Sequence, residues 1–279
     1  MYVVAGVTGQ TGRSVAQQLV QTGKAVTGLT SRDPAQVEAP KGVALRQVDL
    51  RDADALAGLA AESEGFYGLI PPLWSPEDYE AAVEPLRQGI IAAAKAAPRS
   101  VVLSSIAAQR AEGTGPIRSL HPLEAALRDA PGVTLLRASY FLENLRNYQE
   151  AFTQGVLPTY WSPERAIEWV DTRTIGKRAA ELLTAENPGS LVQLSGERPA
   201  SFEEVAQSLG QVLSQDIRAV SLPAEAVIEP LQAMGAGQIA ELYAEMNRAM
   251  DAGEIAFEDD VPVERRGPSL KEALARVFA

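Results

Sequence analysis

The chain has 279 residues, of which 46% are hydrophobic and 22% charged, a composition typical of a globular protein with a sizeable core. Its formal net charge of -11 excludes a broadly basic surface for nucleic acid, although it allows one local basic pocket for a phosphate. The absence of cysteine excludes disulfides and thiolate metal sites, and the single histidine, His121, excludes a site built from several histidines. With no leader-like segment and no apolar run of about 18 residues, we expect a cytoplasmic protein with no metal, nucleic-acid or membrane partner.

Strand-like and helix-like segments alternate along the first half of the chain. Short apolar runs rich in β-branched residues predict strands, and apolar residues that repeat every three or four positions predict helices. The predicted strands are 2–7, 25–30, 42–50, 66–71, 100–104 and 133–138, and the predicted helices begin after Gly12, at 52, at Ser75 and at 120. This alternation predicts an α/β fold, a doubly wound parallel sheet of the Rossmann type with helices on both faces.

The helix expected near residue 75 has the clearest start signal. Ser75 is typical of an N-cap residue, Pro76 suits the first helical position, and Glu77 and Asp78 place acids in the first turn. Apolar residues then recur at helical spacing, with Pro85 inside the pattern. We therefore predict a helix that begins at Ser75 and is kinked at Pro85.

The pattern changes after Tyr140. The segment 140–169 carries many aromatic residues at irregular spacing, and a helical pattern over 172–184 and a strand-like run over 191–196 follow it. The rest of the chain carries mainly helical patterns. We predict two domains: a nucleotide-binding domain over 1–150, completed by parts of 171–195, and a smaller C-terminal α+β substrate region over 151–279.

The stretch AGVTGQTG, from Ala5 to Gly12, places three glycines between a predicted strand and a predicted helix. Gly6 permits the sharp turn out of the strand, Gly9 lets the backbone approach a pyrophosphate, and Gly12 lets the helix pack closely on the sheet. The helix N-terminus offers N–H groups and a positive dipole end to the phosphates. A glycine-rich turn without a ligand is the alternative. The context favours a dinucleotide site, whose predicted contacts are Gly6, Thr8, Gly9, Gln10, Thr11 and Gly12.

The end of the second predicted strand bears on the choice between NAD and NADP. An acidic residue about 20 residues after the glycines binds the ribose hydroxyl of NAD, whereas an arginine accommodates the 2′-phosphate of NADP. The chain has Ser31, Arg32 and Asp33 here. The Arg32 fork and the Ser31 hydroxyl suit a phosphate, so NADP(H) is favoured over NAD(H). Asp33 leaves two alternatives open, because it can take the ribose hydroxyl or pair with Arg32.

Several segments together resemble the NmrA-like family, an atypical branch of the short-chain dehydrogenase/reductase superfamily. They are GVTGQTG, TSRDP, VDLRD, VVLSS and LLRASYFLENL, followed by VDTRTIGKRAAELL and SGERPASFEEVAQSLG, so the resemblance covers nearly the whole chain. The glycine loop is shared by the wider superfamily, whereas the stretch from Arg137 to Asn144 is more particular.

The resemblance also implies cofactor contacts from the ends of further strands. These are Asp49 and Leu50 beside the adenine, Ile70 and Pro71 along the cofactor, Ser104 and Ser105 near the nicotinamide ribose, and Tyr140 over the nicotinamide.

One feature of the superfamily is missing. Its standard members use Tyr-x-x-x-Lys, in which the lysine lowers the tyrosine pKa so that the phenol can act as a general acid. No tyrosine of this chain is followed by a lysine four residues later, and none of the five lysines lies in the corresponding segment. That segment offers Ser119, His121 and Glu124 instead. We therefore do not expect alcohol–ketone chemistry by the usual route.

His121 and Tyr140 are the candidate catalytic residues. Histidine exchanges protons near neutral pH, so His121 can polarise a carbonyl or protonate a product. The alternative for His121 is a polar residue in the first turn of a helix that is capped by Ser119. Tyr140 is a candidate because the resemblance implies that it closes over the nicotinamide.

Two functions remain open on this sequence. The first is an NADPH-dependent reductase for a small, planar, apolar acceptor such as a quinone or a dye, which needs little acid catalysis because the cofactor supplies the hydride. The second is a redox sensor that binds NADP(H) and acts through a protein partner without turnover. Aromatic residues can wall an acceptor slot or belong to the core; they are Tyr140, Phe141, Tyr148, Phe152, Tyr160 and Trp161.

Overall fold

The computed structural model describes residues 1–278. Its strands are β1 (Tyr2–Val4), β2 (Val26–Thr30), β3 (Val43–Gln47), β4 (Gly65–Gly68), β5 (Ser100–Ser105), β6 (Val133–Ala138), β7 (Tyr140–Phe141), β8 (Val156–Thr159), β9 (Trp169–Val170), β10 (Leu191–Ser195), β11 (Arg218–Ser221) and β12 (Val263–Arg265). Its α-helices are α1 (Gln10–Gln21), α2 (Ala53–Ala61), α3 (Tyr79–Ala96), α4 (His121–Leu127), α5 (Gln149–Phe152), α6 (Thr172–Thr184), α7 (Phe202–Leu213), α8 (Ile228–Ala233), α9 (Ile239–Ala252) and α10 (Leu270–Val277). Segments of 3-10 helix are Pro34–Gln36, Gly115–Leu120, Leu142–Tyr148 and Ala224–Val227.

Eight strands form one sheet in the order β12-β10-β6-β5-β4-β1-β2-β3. Every strand pair in this sheet is parallel; for example, Val3 of β1 lies opposite Thr27 of β2 and Phe66 of β4. The strand order reverses between β1 and β4, and this switch point opens a crevice at the carboxyl ends of the two strands. The predicted doubly wound sheet of Rossmann type is therefore confirmed.

Side chains of each strand alternate between the two faces of the sheet, and helices cover both faces. Val4 lies in a buried cluster that also contains Val15 of α1 and Ile175 of α6. Val3 packs in the opposite cluster, which includes Leu56 of α2 and residues of α3 and α4. Full burial of each such side chain contributes about 1.5–3 kcal/mol to folding, so the two clusters hold the sheet edge that carries the crevice.

The C-terminal part both extends the main sheet and builds its own apolar cluster. β10 pairs with β6, and β12 pairs with β10, so strands from beyond residue 150 belong to the main sheet. Trp161, Trp169 and Phe202 lie in a separate buried cluster with residues of α7 and α10. The division into domains 1–150 and 151–279 stays a prediction.

A smaller buried cluster, called here the bridging cluster, joins the two parts of the chain. It contains Tyr79 and Val83 from the start of α3, Leu231 of α8, and Ile239 and Leu242 of α9. Its apolar contacts hold the C-terminal helices α8 and α9 against the loop between β4 and α3.

The predicted helix start at Ser75 is wrong. Helix α3 begins at Tyr79, and its N-cap is Asp78, whose Oδ1 accepts a hydrogen bond from the Ala81 N–H at 3.1 Å. Ser75 lies in the preceding loop. A carboxylate caps a helix as well as a hydroxyl does, so local preference left both starts possible. Tertiary contacts favour the later one, because the Tyr79 N–H donates to Gln238 Oε1 at 2.9 Å and its ring enters the bridging cluster.

Other boundaries shift by a few residues. Helix α1 begins at Gln10, so Gly12 lies in its first turn rather than before it. Strand β4 ends at Gly68, which leaves 69–71 in the loop that follows. Pro85 lies inside α3, as predicted.

The alternative given for His121, a polar residue in a helix capped by Ser119, has the wrong cap. Helix α4 continues directly from the 3-10 segment Gly115–Leu120, and Leu120 rather than Ser119 occupies its N-cap position. The Ser119 hydroxyl donates instead to the Pro116 carbonyl at 2.8 Å. Since the 3-10 turns already lead the backbone into α4, the hydroxyl turns back along its own segment.

In the part of the chain described by the structure, no helix combines the length and apolarity needed to cross a membrane. Over the same residues, no group of three or more His, Cys, Asp or Glu side chains is placed to hold a metal ion.

Candidate functional site

The glycine loop leaves β1 at the crevice beside β4. Gly6 has a φ of +63°, a left-handed conformation that favours glycine, and a Cβ placed on it would lie 3.0 Å from Leu69 Cδ2. A Cβ on Gly12 would collide with the carbonyl oxygens of Gly6 and Ala5. Glycine at these positions therefore lets the first turn of α1 lie directly against the end of β1, as the sequence predicts.

The N-terminus of α1 has no side-chain cap. Its N-cap residue is Gly9, no side chain bonds to the first N–H groups, and the first turn contains no acidic residue. Among the helices of eight or more residues, side chains cap α2, α3, α6, α7 and α10, through Asp52, Asp78, Asp171, Ser201 and Ser269 respectively, whereas α9, like α1, has no side-chain cap. The start of α1 thus combines available backbone donors with a positive dipole end, at the crevice where a dinucleotide binds in folds of this topology.

The other loop residues differ in exposure. Gln10 is exposed and Thr8 is half-buried, so both side chains can reach a ligand in the crevice. Thr11 is buried beside the phenol of Tyr67, whose own pKa is raised by burial in the sheet. Of the two predicted hydroxyl donors, Thr8 is therefore the more accessible.

The end of β2 presents an arginine with no ion pair. Arg32 is exposed, forms no salt bridge within residues 1–278, and its backbone N–H donates to Thr30 Oγ1 at 3.1 Å. Asp33 does not pair with it; its Oδ1 accepts from the Ala35 N–H at 3.0 Å and so caps a 3-10 turn. Of the alternatives left open by the sequence, the Arg32–Asp33 pair is absent from the structure, and the guanidinium and the neighbouring Ser31 remain accessible.

Arg13 is a nearby cation that the sequence reasoning missed. It lies in α1 directly after Gly12, is half-buried, and its Nη2 donates to the Glu38 carbonyl at 3.4 Å. This contact spans from α1 to the loop after β2, which also carries Arg32. The position of Arg13 next to the glycine loop is the sequence feature that could have identified it.

The ends of β3 and β4 contribute the next predicted contacts. The Asp49 carboxylate is held by Arg51, whose Nε and Nη2 donate to it at 3.0 and 2.8 Å, and these hydrogen bonds keep the pKa of Asp49 below its usual value. Leu50, Ile70 and Pro71 are half-buried. They present apolar surface at the same edge of the sheet as the glycine loop.

A buried ionic network underlies the end of β5. Ser104 donates to Glu124 Oε1 at 2.5 Å, and Arg137 binds the same carboxylate, with Nε 2.9 Å from Oε1 and Nη2 2.5 Å from Oε2. The side chain of Arg137 is 0% exposed and that of Glu124 is 2% exposed. Since both Glu124 oxygens are engaged, this residue is not free for substrate, although the sequence offered it as a candidate.

Ser105 and Tyr140 lie at the same edge of the sheet, above this network. Ser105 pairs with Ala138 in the β5–β6 register, and Tyr140 follows two residues later as the start of β7. Adjacent residues of a strand point to opposite faces, so the half-buried Ser105 is directed away from Ser104 and its ionic partners.

Aromatic side chains gather around Tyr140. Its ring makes edge contacts with Trp161 and Trp169, at centroid distances of 5.9 and 5.2 Å. Of the six aromatic residues predicted to wall a slot, Phe152 and Trp161 are buried in the C-terminal core, and Phe141 packs on the main-sheet cluster. The remaining three, Tyr140, Tyr148 and Tyr160, are half-buried.

Four half-buried tyrosines are grouped here as the tyrosine cluster: Tyr140, Tyr148 and Tyr160, which pack on the C-terminal apolar cluster, and Tyr243, which packs on the bridging cluster. Burial raises the pKa of Tyr140, and so do the nearby phenols of Tyr243 and Tyr160. Burial and the same neighbours raise the pKa of Tyr148. Burial also raises the pKa of Tyr243 to about 12. These phenols therefore stay protonated at neutral pH, and they can donate hydrogen bonds to an uncharged or electron-accepting ligand.

Two members of this region escaped the sequence analysis. Tyr243 lies in α9, and Trp74 lies in the loop between β4 and α3; their rings stack with centroids 5.9 Å apart and an interplanar angle of 3°. Neither belongs to the aromatic-rich segment 140–169, from which the walls of an acceptor slot were predicted. Only the packing of α9 against the loop after β4 brings these two rings together.

His121 occupies the first position of α4, half-buried and without a hydrogen bond among the described residues. Its neighbour Ser119 lies beside the phenol of Tyr79, which in turn lies beside Tyr243. The start of α4 is thus close to the border of the tyrosine cluster, with the imidazole unoccupied by protein partners.

Comparisons with known proteins agree with this architecture. The sequence profile of the NmrA-like family matches residues 2–274. Among curated proteins, the chain is 27% identical over 136 residues to an uncharacterized oxidoreductase, YesF, of Bacillus subtilis. That match covers 47% of each chain, so it spans about half the length of this relative.

Solved structures resemble the chain over its whole length. A triphenylmethane reductase from Citrobacter sp. is 20% identical with a TM-score of 0.78, over 99% of both chains. The NADPH-dependent quinone oxidoreductase QOR2 from Escherichia coli, in its complex with NADPH, is 21% identical with a TM-score of 0.78, over 100% of both chains. Leucoanthocyanidin reductase from Vitis vinifera is 12% identical with a TM-score of 0.71, over 100% of this chain and 99% of the other. At these identities the likeness establishes a common fold.

Proposed function

The chain belongs to the NmrA-like family, and on this premise we propose that it is a reductase that transfers a hydride from NADPH to a small planar acceptor such as a quinone or a dye. The observation that carries the proposal is the uncapped start of α1 beside three close-packed glycines, at the crevice between β1 and β4. The quinone oxidoreductase and the triphenylmethane reductase that share this fold support the reaction class.

The preference for NADP(H) over NAD(H) is part of this proposal. Arg32 is exposed and unpaired at the end of β2, and Arg13 reaches the same loop from α1. Two guanidinium groups suit the 2′-phosphate, whereas the acid that would bind a ribose hydroxyl, Asp33, caps its own turn. The backbone N–H groups at the start of α1, with Thr8, would bind the pyrophosphate.

The tyrosine cluster supplies the acceptor side of the proposed site. When bound, NADPH supplies the hydride, and the reduction of a quinone to a hydroquinone also needs protons. The protonated phenols of Tyr140 and Tyr243 hold the acceptor oxygen by hydrogen bonds, since their raised pKa values make them donors rather than proton sources at neutral pH. His121 and solvent are left as the proton donors.

A redox sensor is the second candidate, and one observation favours it. The segment that carries Tyr-x-x-x-Lys in standard members holds Glu124 here, and its carboxylate is fully engaged by Ser104 and Arg137. A site that binds NADP(H) without a catalytic acid suits a protein that reports redox state to a partner.

The test is a measurement of cofactor binding and turnover on the purified protein. We expect calorimetry to show NADPH binding, and absorbance to show NADPH oxidation with at least one member of a panel of quinones and dyes. Tight binding with no oxidation across the panel favours the sensor, and no binding of either nicotinamide cofactor refutes both functions. Replacement of Tyr140 by phenylalanine serves as the internal probe, because it should slow oxidation while the affinity for NADPH is kept.

A further inference from the structure

Trp74 is a large aromatic side chain that the structure leaves half exposed. The residue is 49% exposed and lies in the loop between β4 and α3, four residues after the predicted cofactor contact Ile70. The other two tryptophans, Trp161 and Trp169, are buried in the C-terminal core. An exposed tryptophan beside a candidate crevice is available to stack on a ligand.

The loop that carries Trp74 is held at both sides. Leu73 packs on the bridging cluster, and the Tyr79 N–H donates to Gln238 Oε1 at 2.9 Å. A Cβ on Gly237 would lie 3.0 Å from the Pro76 carbonyl oxygen, which shows how closely the two segments approach. The indole is therefore positioned in advance of ligand binding, which reduces the entropy lost when a ring stacks on it.

Tyr243 connects Trp74 to the proposed acceptor site. The Trp74 and Tyr243 rings are parallel, 3° apart in plane and 5.9 Å between centroids. Tyr243 and the predicted cofactor contact Ile70 pack on the same bridging cluster. An aromatic surface thus runs outward from the bridging cluster, beside Ile70, to Trp74.

The chain segment that follows Trp74 carries acidic side chains. Between Arg51 and Arg87 the chain has no lysine or arginine, while Glu77 and Asp78 follow Trp74 closely and are both exposed. Glu77 forms no ion pair within residues 1–278. An anionic ligand would be repelled here, whereas an electron-poor or cationic ring system would be attracted to the indole face.

We propose that Trp74 and Tyr243 form the outer wall of the acceptor site and select planar acceptors that have at least two fused rings and no negative charge. The inference rests on the proposed reductase function and names the acceptor class for that same site. A single ring is covered by the tyrosine cluster alone, whereas a second ring extends outward onto Trp74.

The experiment compares three acceptors in NADPH oxidation: a one-ring benzoquinone, 1,2-naphthoquinone, and the same naphthoquinone bearing a sulfonate. Replacement of Trp74 by alanine should raise KM for the naphthoquinone roughly threefold to tenfold, the worth of one aromatic stack, and should leave KM for the benzoquinone within about twofold. Trp74→Phe should restore most of the loss because it keeps a ring. Equal changes for the two uncharged acceptors would overturn the proposal.

The charge preference has its own matched pair of variants. Glu77→Gln should lower KM for the sulfonated naphthoquinone by about twofold to threefold, and added salt should reduce this difference. Glu62→Gln is the control, since Glu62 is also an exposed acid, at the end of α2 on the opposite edge of the sheet. An identical effect of the two variants would refute the charge preference.

Failure of the reductase function is distinguished by a binding measurement. If none of the three acceptors supports NADPH oxidation by the unmodified protein, the binding of each acceptor to the protein with NADP+ is measured by equilibrium ultrafiltration. If the unmodified protein binds the naphthoquinone and Trp74→Ala does not, the proposed outer wall stands and the proposed reductase function is refuted. If the unmodified protein does not bind the naphthoquinone, both proposals are refuted.

Discussion

The two sides of the candidate site are built in different ways. The cofactor side comes mainly from one short stretch, the glycine loop and the first turn of α1, and it works through backbone geometry. The acceptor side is assembled from the loop after β4, the segment from β7 to β9, and α9, and it works through side chains. A site built from backbone atoms tolerates almost no larger residue at its glycines, whereas a site built from side chains can change its ligand preference through substitution of one aromatic residue.

The largest expected effect is on the cofactor side. Replacement of Gly12 by valine forces side-chain atoms into the Ala5 and Gly6 carbonyls, so we expect a loss of about 3 kcal/mol of unfolding free energy and at least a hundredfold loss of NADPH affinity. Gly58→Ala is the control, because Gly58 lies in α2 with open space around it. It should gain about 0.5–1 kcal/mol. Urea unfolding and calorimetry measure both, and normal NADPH binding by Gly12→Val would contradict the close-packing account.

The next effect tests whether the acceptor side contains a proton donor. If His121 protonates the reduced acceptor, His121→Ala should lower kcat about a hundredfold and leave the Kd for NADPH unchanged. Ser119→Ala is the nearby control, since the Ser119 hydroxyl is bonded to the Pro116 carbonyl. Steady-state kinetics with a quinone measures both variants. Unchanged turnover in His121→Ala would mean that His121 has only a structural role at the start of α4.

A smaller effect separates the two cofactors. Replacement of Arg32 by alanine should weaken NADPH binding roughly tenfold to hundredfold, because one or two charge-assisted hydrogen bonds to the 2′-phosphate are lost. Binding of NADH should change by less than about twofold. Arg46→Ala, an exposed arginine on the neighbouring strand β3, controls for net charge. An equal loss for both cofactors would remove the phosphate role of Arg32.

The smallest effect concerns the support of the tyrosine cluster. Burial raises the pKa of Glu143, although Glu143 Oε1 accepts bonds from the Thr172 N–H and hydroxyl at 2.9 and 2.6 Å. The native state therefore holds this proton to higher pH than the unfolded chain does. The resulting stability is present below the unfolded pKa of about 4.3 and is lost as pH rises through the folded value.

Glu143→Gln removes that titration and keeps an acceptor oxygen for Thr172. Urea unfolding at several pH values should show the unmodified protein losing stability relative to this variant as pH rises above about 4.3. Parallel curves for the two proteins would mean that Glu143 does not carry a raised pKa.

Much of the fold was readable from local pattern. The predicted limits of β6 and α6 agree with the structure, because each is an uninterrupted apolar or amphipathic run bounded by turn residues. The start of α3 could not be predicted from local pattern, because Ser75 and Asp78 are both competent N-cap residues. The contact of Tyr79 with Gln238 selects between them. The N-cap preferences of serine and aspartate differ in free energy by less than one tertiary hydrogen bond contributes.

The candidate site divides in the same manner. The glycine loop and Arg32 follow from spacing along the chain, because the dinucleotide fingerprint is made within one βαβ unit. The roles of Ser104 and Glu124 did not follow, because their mutual bond and their burial against Arg137 depend on the packing of α4 on β5 and β6.

The sequence by itself determined the alternation of strands and helices, the tight start of α1, and the absence of a Tyr-x-x-x-Lys pair. Each of these depends on residues that are neighbours in the chain, where sterics and helix periodicity act directly. Only the tertiary structure decided that Tyr243 stacks on Trp74, and that Arg32 is free while Asp33 caps its own turn. Such contacts join residues far apart in sequence or choose among several local partners, so only the packed chain selects them.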